Sequence, residues 1–299
     1  MLKQFAIGID LGGTNLRVGV FDNLTLIEQI RVEANCAQII NYNDLLAILE
    51  QACKPISMRF AGACIGFGIP GFISPHTQII AQSPNLPALN NAPLAQDLSA
   101  RLATKVIVEN DALAAAYGEF LLANSPANGL LYIGLGTGVG GGFIHAGLPF
   151  AGAHGVAMEV GHIIIEPNGR QCGCGNRGCL EQYASASGVI NSYFLSTNQR
   201  LNTEEIADLA RQGDKNAESA FALAGSALGQ ALAHVQKVVD IPNVTIGGGL
   251  AKAWDLIAPS FNERLDQDLI TVLRGKMHVQ VSTADDIAGM LGAAKLASL

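Results

Sequence analysis

Charge is scarce in this chain of 299 residues: only 14% are Asp, Glu, Lys or Arg, and 18 basic against 25 acidic residues leave a formal charge of −7. That balance lacks the basic excess that a polyanion-binding surface needs, so nucleic acid is not an expected partner. Apolar residues make up 49%, too many for a disordered chain. A positively charged leader ahead of a long apolar segment is also missing, because the strand-like run Phe5 to Ile9 begins almost at once. A cytoplasmic protein is expected. The most apolar long stretch, Gly129 to Ile144, carries seven glycines and Thr137. Such a segment is a weak lone helix and suits lipid poorly, so no membrane span is expected.

The length corresponds to about two domains and permits a core that needs no disulfide. Of six cysteines, Cys36, Cys53 and Cys64 are scattered, whereas Cys172, Cys174 and Cys179 crowd into one short loop. That spacing fits a metal better than a disulfide framework in a reducing compartment. Glycine is plentiful, with 34 residues, and it gathers in clusters. The chemistry is to be sought there.

The first cluster lies in a hairpin. Phe5 to Asp10 reads as a buried strand, Leu11 to Asn15 as a turn, and Leu16 to Phe21 alternates like a second strand. No helix follows these glycines, and neither the dinucleotide nor the Walker spacing is present, which disfavours both of those nucleotide folds. Asn43 to Cys53 has helical spacing with Asn43 as its cap. Ala61 to Gly68 reads as a strand, and Lys105 to Val108 as another that delivers Glu109, Asn110 and Asp111 to a helix over Ala112 to Leu122. The opening pattern then returns: strand Leu131 to Leu135, turn Gly136 to Gly138, strand Val139 to Ile144, at an offset of 123 residues. A third glycine turn, Gly247 to Gly249, caps a strand over Asn243 to Ile246. Two lobes that each begin this way suggest a duplicated α/β unit with a cleft between the copies. The expected lobes are 1–115, joined by a C-terminal helix over 286–299, and 116–285, which contains the loop 162–181.

Asp10 ends a buried strand just before amides that glycine leaves unobstructed, which suits a carboxylate near a metal-bound phosphate or, equally, one that bonds its own turn. Asp111 is explained by a plain helix N-cap. Beside a cleft it would instead accept the proton of a hydroxyl that attacks a γ-phosphoryl group. His162 with Cys172, Cys174 and Cys179 supplies one imidazole and three thiolates, enough to close a zinc tetrahedron with no position left for water. Such a zinc is structural. Glu159 and Glu181 flank the ligands and are either ordinary surface carboxylates or rigid groups that grip substrate hydroxyls.

Asp10-Leu-Gly-Gly-Thr14, Leu135-Gly-Thr-Gly-Val-Gly-Gly-Gly142, Glu159-Val-Gly-His162 and Cys172-Gly-Cys-Gly-Asn-Arg-Gly-Cys-Leu-Glu181 together resemble the ROK family (repressor, open reading frame, kinase) over nearly the whole chain. The resemblance implies a two-lobed actin-like, ribonuclease-H-like α/β fold with a zinc-binding loop, and phosphate transfer from Mg-ATP to a sugar hydroxyl, usually on C6 of a hexose. By matching positions, Asp111 is implied as catalytic base and Asp10 as magnesium-side carboxylate. Gly12, Gly13, Thr14, Gly136, Thr137 and Gly138 match the phosphate turns, and Gly247, Gly248 and Gly249 the adenosine-side turn. Asn85, Asn110, Asp111, Glu159, His162 and Glu181 match sugar-contacting positions, and His162, Cys172, Cys174 and Cys179 the zinc ligands. Met158 stands where the family usually has glycine.

The implied cofactors are therefore ATP, Mg²⁺ and a structural Zn²⁺, and the implied partner is a small sugar. A homodimer is the expected assembly. The family's repressors carry a helix-turn-helix domain ahead of the first strand, for which only the residues before Phe5 are available here. The nine residues between His162 and Cys172 are fewer than in the ROK kinases with an insertion at this point. Ser83-Pro-Asn-Leu86 and Glu181-Gln-Tyr-Ala-Ser185 look like glucokinase. Glucose is the expected substrate, ahead of N-acetylmannosamine, allose, mannose and fructose, with a sugar-sensing protein that lacks catalysis as the alternative of another class.

Overall fold

Strand alternation decides which side chains of the first sheet reach a core and which reach the site. In the computed structural model, which describes residues 5–123, 129–284 and 286–299, the chain opens with β1 (Phe5–Leu11), β2 (Asn15–Asp22) and β3 (Thr25–Glu33). Helix α1 (Tyr42–Arg59), β4 (Cys64–Ile69), β5 (Phe72–Ile73), β6 (Ile80–Gln82), α2 (Leu94–Leu102), β7 (Val106–Asn110) and α3 (Asp111–Leu122) follow. Next come β8 (Gly129–Leu135), β9 (Val139–His145), β10 (Leu148–Pro149), α4 (Glu181–Ala184), α5 (Ala186–Thr197), α6 (Thr203–Arg211) and α7 (Lys215–Val239). The last elements are β11 (Asn243–Gly247), α8 (Trp254–Asp268), β12 (His278–Val281) and α9 (Asp286–Ala297).

One sheet has the order β3-β2-β1-β4-β7 and another the order β10-β9-β8-β11-β12. Ranked along the chain, both follow the same third-second-first-fourth-fifth arrangement, which is the duplication that the two glycine hairpins announce. The chain divides into two units: the described residues up to Tyr132 with 142–157 and those from Ala284 onward form one, and 133–141 with 158–283 form the other.

In the first unit, Ile7, Ile9 and Leu11 of β1, Ile65, Phe67 and Ile69 of β4, and Val106 and Val108 of β7 point to a core shared with Leu45, Leu46 and Leu49 of α1 and Leu94 and Leu98 of α2. The alternate residues face the other way. Ala6 meets Met290, Leu291 and Ala294 of α9, and Gly8 and Gly66 lie so close to α9 that a Cβ on either would overlap the carbonyl oxygens of Met290 and Ala293. The same contact continues between helices, where Gly118 of α3 abuts the carbonyl of Ala288 and Gly292 of α9 abuts that of Ala114. The sheet is thus covered by α1 and α2 on one face and by α3 and α9 on the other.

The observed boundaries refine the sequence reading in two places. Asn41, not Asn43, caps α1, because its extended backbone aims the side-chain oxygen at the amides of Asn43 and Asp44, and the helix continues past Cys53 through Pro55 to Arg59. Strand β4 starts at Cys64 and not at Ala61, because Gly62 turns the chain with φ of +87°.

In the second unit the 25-residue helix α7 starts at the cap Asp214, whose side chain accepts from Ala217 N–H. It packs on α8, with Gly225 and Gly229 against the α8 backbone. Among the described residues no helix is long and apolar enough to cross a membrane.

The seam beneath α9 makes a direct prediction. Gly66→Ala forces backbone to move against backbone and should cost about 3 kcal/mol, whereas Gly289→Ala, where nothing lies within 4 Å of the added carbon, should not destabilise. Urea unfolding of the two variants checks this, and equal midpoints would refute the seam.

Candidate active site

The alternation that sends Ile9 inward leaves Asp10 on the α9 side of β1. It pairs across the hairpin with Arg17, whose guanidinium donates to Asp10 Oδ2 at 3.0 Å and lies 2.9 Å from Asp286 Oδ1 at the start of α9. Burial pushes the Asp10 carboxyl up from its ordinary value, Arg17 pulls it back, and Asp286 adds to the rise. The following turn is closed by Gly12 N–H on the Asn15 carbonyl at 2.9 Å, and Asn15 Nδ2 donates to Thr14 Oγ1 at 2.8 Å, with Gly13 beside Ala37.

Asp10, Gly68 and Glu109 form one row across β1, β4 and β7. Two residues beyond Glu109 in the chain is Asp111. The N-cap of α3 is Asn110 and not Asp111: Asn110 Oδ1 accepts from Leu113 N–H at 3.0 Å, while its Nδ2 donates to the Gly71 carbonyl at 3.1 Å. Asp111 is consequently the first helical residue, with Oδ1 accepting from Ala112 N–H at 2.9 Å. Asn85 sits exposed in the turn Ser83–Leu86, and buried Ser83 fixes that turn by donating to the Pro70 carbonyl. The bend at Pro70–Gly71 therefore positions both Asn85 and the Asn110–Asp111 pair.

The second unit carries the other site residues. In the turn Gly136–Gly138, Gly136 N–H donates to the Gly138 carbonyl at 2.9 Å. Gly248, with φ of +83°, brings the third glycine turn against Leu135, so that Gly247–Gly249 and Gly136–Gly138 follow neighbouring strands. At Gly136 and at Gly249 nothing lies within 4 Å of the place a Cβ would occupy, which leaves the backbone open to close approach by a phosphate or a nucleoside. Glu181 Oε2 accepts from Val139 N–H at 3.1 Å. Glu159 precedes a short helical turn over Val160–His162, and its Oε2 lies 3.9 Å from His162 Nε2. Burial raises the Glu159 carboxyl, His162 opposes that rise, and Glu181 adds to it. Met158 adopts φ of +66°, which costs a side chain about 1 kcal/mol and glycine almost nothing.

His162, Cys172, Cys174 and Cys179 are gathered with all four donor atoms within 4.8 Å of one another. His162 Nδ1 is 3.7 Å from Cys172 Sγ, and Cys174 Sγ is 3.6 Å from Cys179 Sγ. Tetrahedral Zn–S bonds of about 2.3 Å place ligands roughly 3.8 Å apart, so the donor set and its spacing fit zinc. His162 would offer Nδ1 to a metal here, while its Nε2 lies toward Glu159. Two short bridges, Ile164 with Cys179 and Gln171 with Arg177, pleat the loop. Sequence reasoning missed Arg170, which anchors the loop: its guanidinium donates to the carbonyls of Gln182 and Gly188 and to Ser192 Oγ, and stacks 4.6 Å over Tyr183. No local pattern announces such long-range bonds. Arg17 was also missed, although hairpin register sets it opposite Asp10.

Four protein ligands would leave no open position on a bound zinc, so its role would be structural, and the protein should bind one zinc per chain. Cys174→Ser should weaken zinc binding by more than about a hundredfold, measured by competition with a chromogenic chelator. A variant that retains zinc as tightly as the parent would refute the ligand set.

Comparison with known proteins agrees with this geometry. The model of the ROK family matches residues 6–299. Glucokinase of Thermotoga maritima is 31% identical, over 99% of this chain and 98% of its own, and N-acetyl-D-glucosamine kinase of Salmonella arizonae is 33% identical, over 97% and 98%. The crystal structure of a ROK family glucokinase from Streptomyces griseus, in complex with glucose and AMPPNP, superposes with a TM-score of 0.83 at 28% identity and covers 98% of this chain and 99% of that one. A family match that spans nearly every residue, a shared fold and the cysteine-histidine loop lead to one conclusion: this chain belongs to the ROK family and aligns along its length with that family's sugar kinases.

Proposed function

We propose that this ROK sugar kinase transfers the γ-phosphoryl group of ATP to the 6-hydroxyl of a hexose, with glucose as the preferred sugar ahead of N-acetylmannosamine, allose, mannose and fructose. The observation that carries the reading is the β7–α3 junction. Asn110 takes over the capping and spans to Gly71, which holds from both sides the backbone that presents the Asp111 carboxylate.

In this reading Asp111 is the general base that draws the proton from the attacking hydroxyl, a role that contributes about 10²- to 10⁴-fold. Asn85 and Asn110, with Glu159, His162 and Glu181, orient the sugar hydroxyls through side-chain donors and acceptors. Gly12, Gly13 and Thr14 and the turn Gly136–Gly138 receive the phosphates through backbone amides, and Gly247–Gly249 the adenosine. Asp10 stands on the magnesium side, where the ion when bound offsets phosphate charge. The zinc loop contributes rigidity at Glu159 and Glu181.

ADP release with Mg-ATP should be measured against glucose, N-acetylglucosamine, N-acetylmannosamine, fructose, mannose and allose. Asp111→Ala should lower kcat on the best sugar at least about a hundredfold while leaving sugar affinity within about threefold. A variant that kept more than about a tenth of its rate would remove Asp111 from the base role, and sugar binding without any turnover by the parent would indicate a sensor.

Arg17→Gln makes the sign of the electrostatics testable. Arg17 lowers a carboxyl that burial has raised, so without it Asp10 protonates at higher pH, and the acid limb of kcat/KM should move upward in pH. An unmoved acid limb would show that Arg17 does not tune Asp10.

A further inference from the structure

We propose that Glu181 is a positioning residue for the phosphate turn, so that the end of the zinc loop sets nucleotide affinity as well as sugar affinity. The inference rests on the kinase reading above and concerns contacts inside the second unit.

Three hydrogen bonds from one stretch of chain hold Gly136–Val139. Glu181 Oε2 accepts from Val139 N–H at 3.1 Å, Ala186 N–H donates to the Gly136 carbonyl at 2.9 Å, and Ser187 Oγ donates to the Thr137 carbonyl at 2.9 Å. Only glycine at 138 admits the carboxylate, since a Cβ there would overlap Glu181 Oε2. The turn is thereby fixed at its amide end by a charged acceptor and at its two preceding carbonyls by the start of α5.

Glu181 itself is not free to drift. Leu180 N–H donates to the Ile163 carbonyl, Gln182 N–H to the Cys179 carbonyl at 3.0 Å, and Ser185 Oγ to the Glu181 carbonyl. The residue that starts α4 is thus tied to the strand pairing that closes the cysteine loop. A carboxylate that bonds a backbone amide is a strong, charge-assisted acceptor, and its other oxygen stays available to a sugar hydroxyl. One side chain then serves two subsites, and Glu181, held by the loop, acts on the phosphate turn through its bond to Val139 N–H.

The test is calorimetric titration of Mg-ADP, without sugar, into the parent, Glu181→Ala, Glu181→Gln and Ser187→Ala proteins, with the preferred sugar titrated separately. Glu181→Ala should weaken Mg-ADP about tenfold. Glu181→Gln, whose amide oxygen still accepts the Val139 N–H, should keep Mg-ADP within about threefold of the parent while weakening the sugar. Ser187→Ala should weaken Mg-ADP about threefold and spare the sugar. Folded Glu181→Ala that binds Mg-ADP as the parent does would overturn the inference. Should that variant fail to fold, Ser187→Ala with unchanged Mg-ADP affinity would overturn it instead. A parent that binds no Mg-ADP would remove the kinase reading itself, an outcome distinct from both.

Discussion

The close approach of the α9 backbone to β1, β4 and α3 is the constraint on which the first unit depends. Gly8, Gly66, Gly118 and Gly292 remove the side chains that would otherwise hold these elements apart, and peptide groups pack where side chains pack elsewhere. Such contacts yield little hydrophobic area per residue, but they tolerate almost no displacement. The benefit is positional. With α9 fixed on the sheet, Asp286 at its first turn, Arg17 on β2 and Asp10 on β1 are fixed to one another, and α3 presents Asp111 from the same packed layer.

The site residues also share an electrostatic condition. Burial raises the carboxyl groups of Asp10, Glu109 and Glu159. Each has a specific opposing group: Arg17 for Asp10, the Asn110 amide for Glu109 and His162 for Glu159. In a chain with few charges, each of these buried acids thus faces one group that opposes the rise which burial imposes.

Much of this was legible in the sequence because it is local. Alternation located β2, the apolar run before the first glycine turn located β1, the return of that hairpin pattern located β9, and helical spacing located α1. The cysteine spacing announced a metal loop whose four donors the fold does gather. Where neighbours compete, local reading failed: Asn41 and Asn43 are both good caps, as are Asn110 and Asp111, and only backbone geometry selects between them. A C-terminal helix joined to the first lobe was expected, but the contacts between distant segments were not legible. Nothing near Arg170 in the chain reveals Gly188 and Ser192, nothing near Val139 reveals Glu181, and the docking of α9 depends on glycines whose partners lie most of the chain away.

That docking also has a temporal side. The strands that α9 covers are synthesised before the second unit, and α9 after it. At about 5–20 residues per second, that interval is on the order of ten seconds. During it the α9 side of β1 and β4 has α3 but not α9 to cover it. The glycines that make the final fit so close also leave that face nearly bare of large apolar side chains, so a nascent chain exposes little there for another protein to grasp.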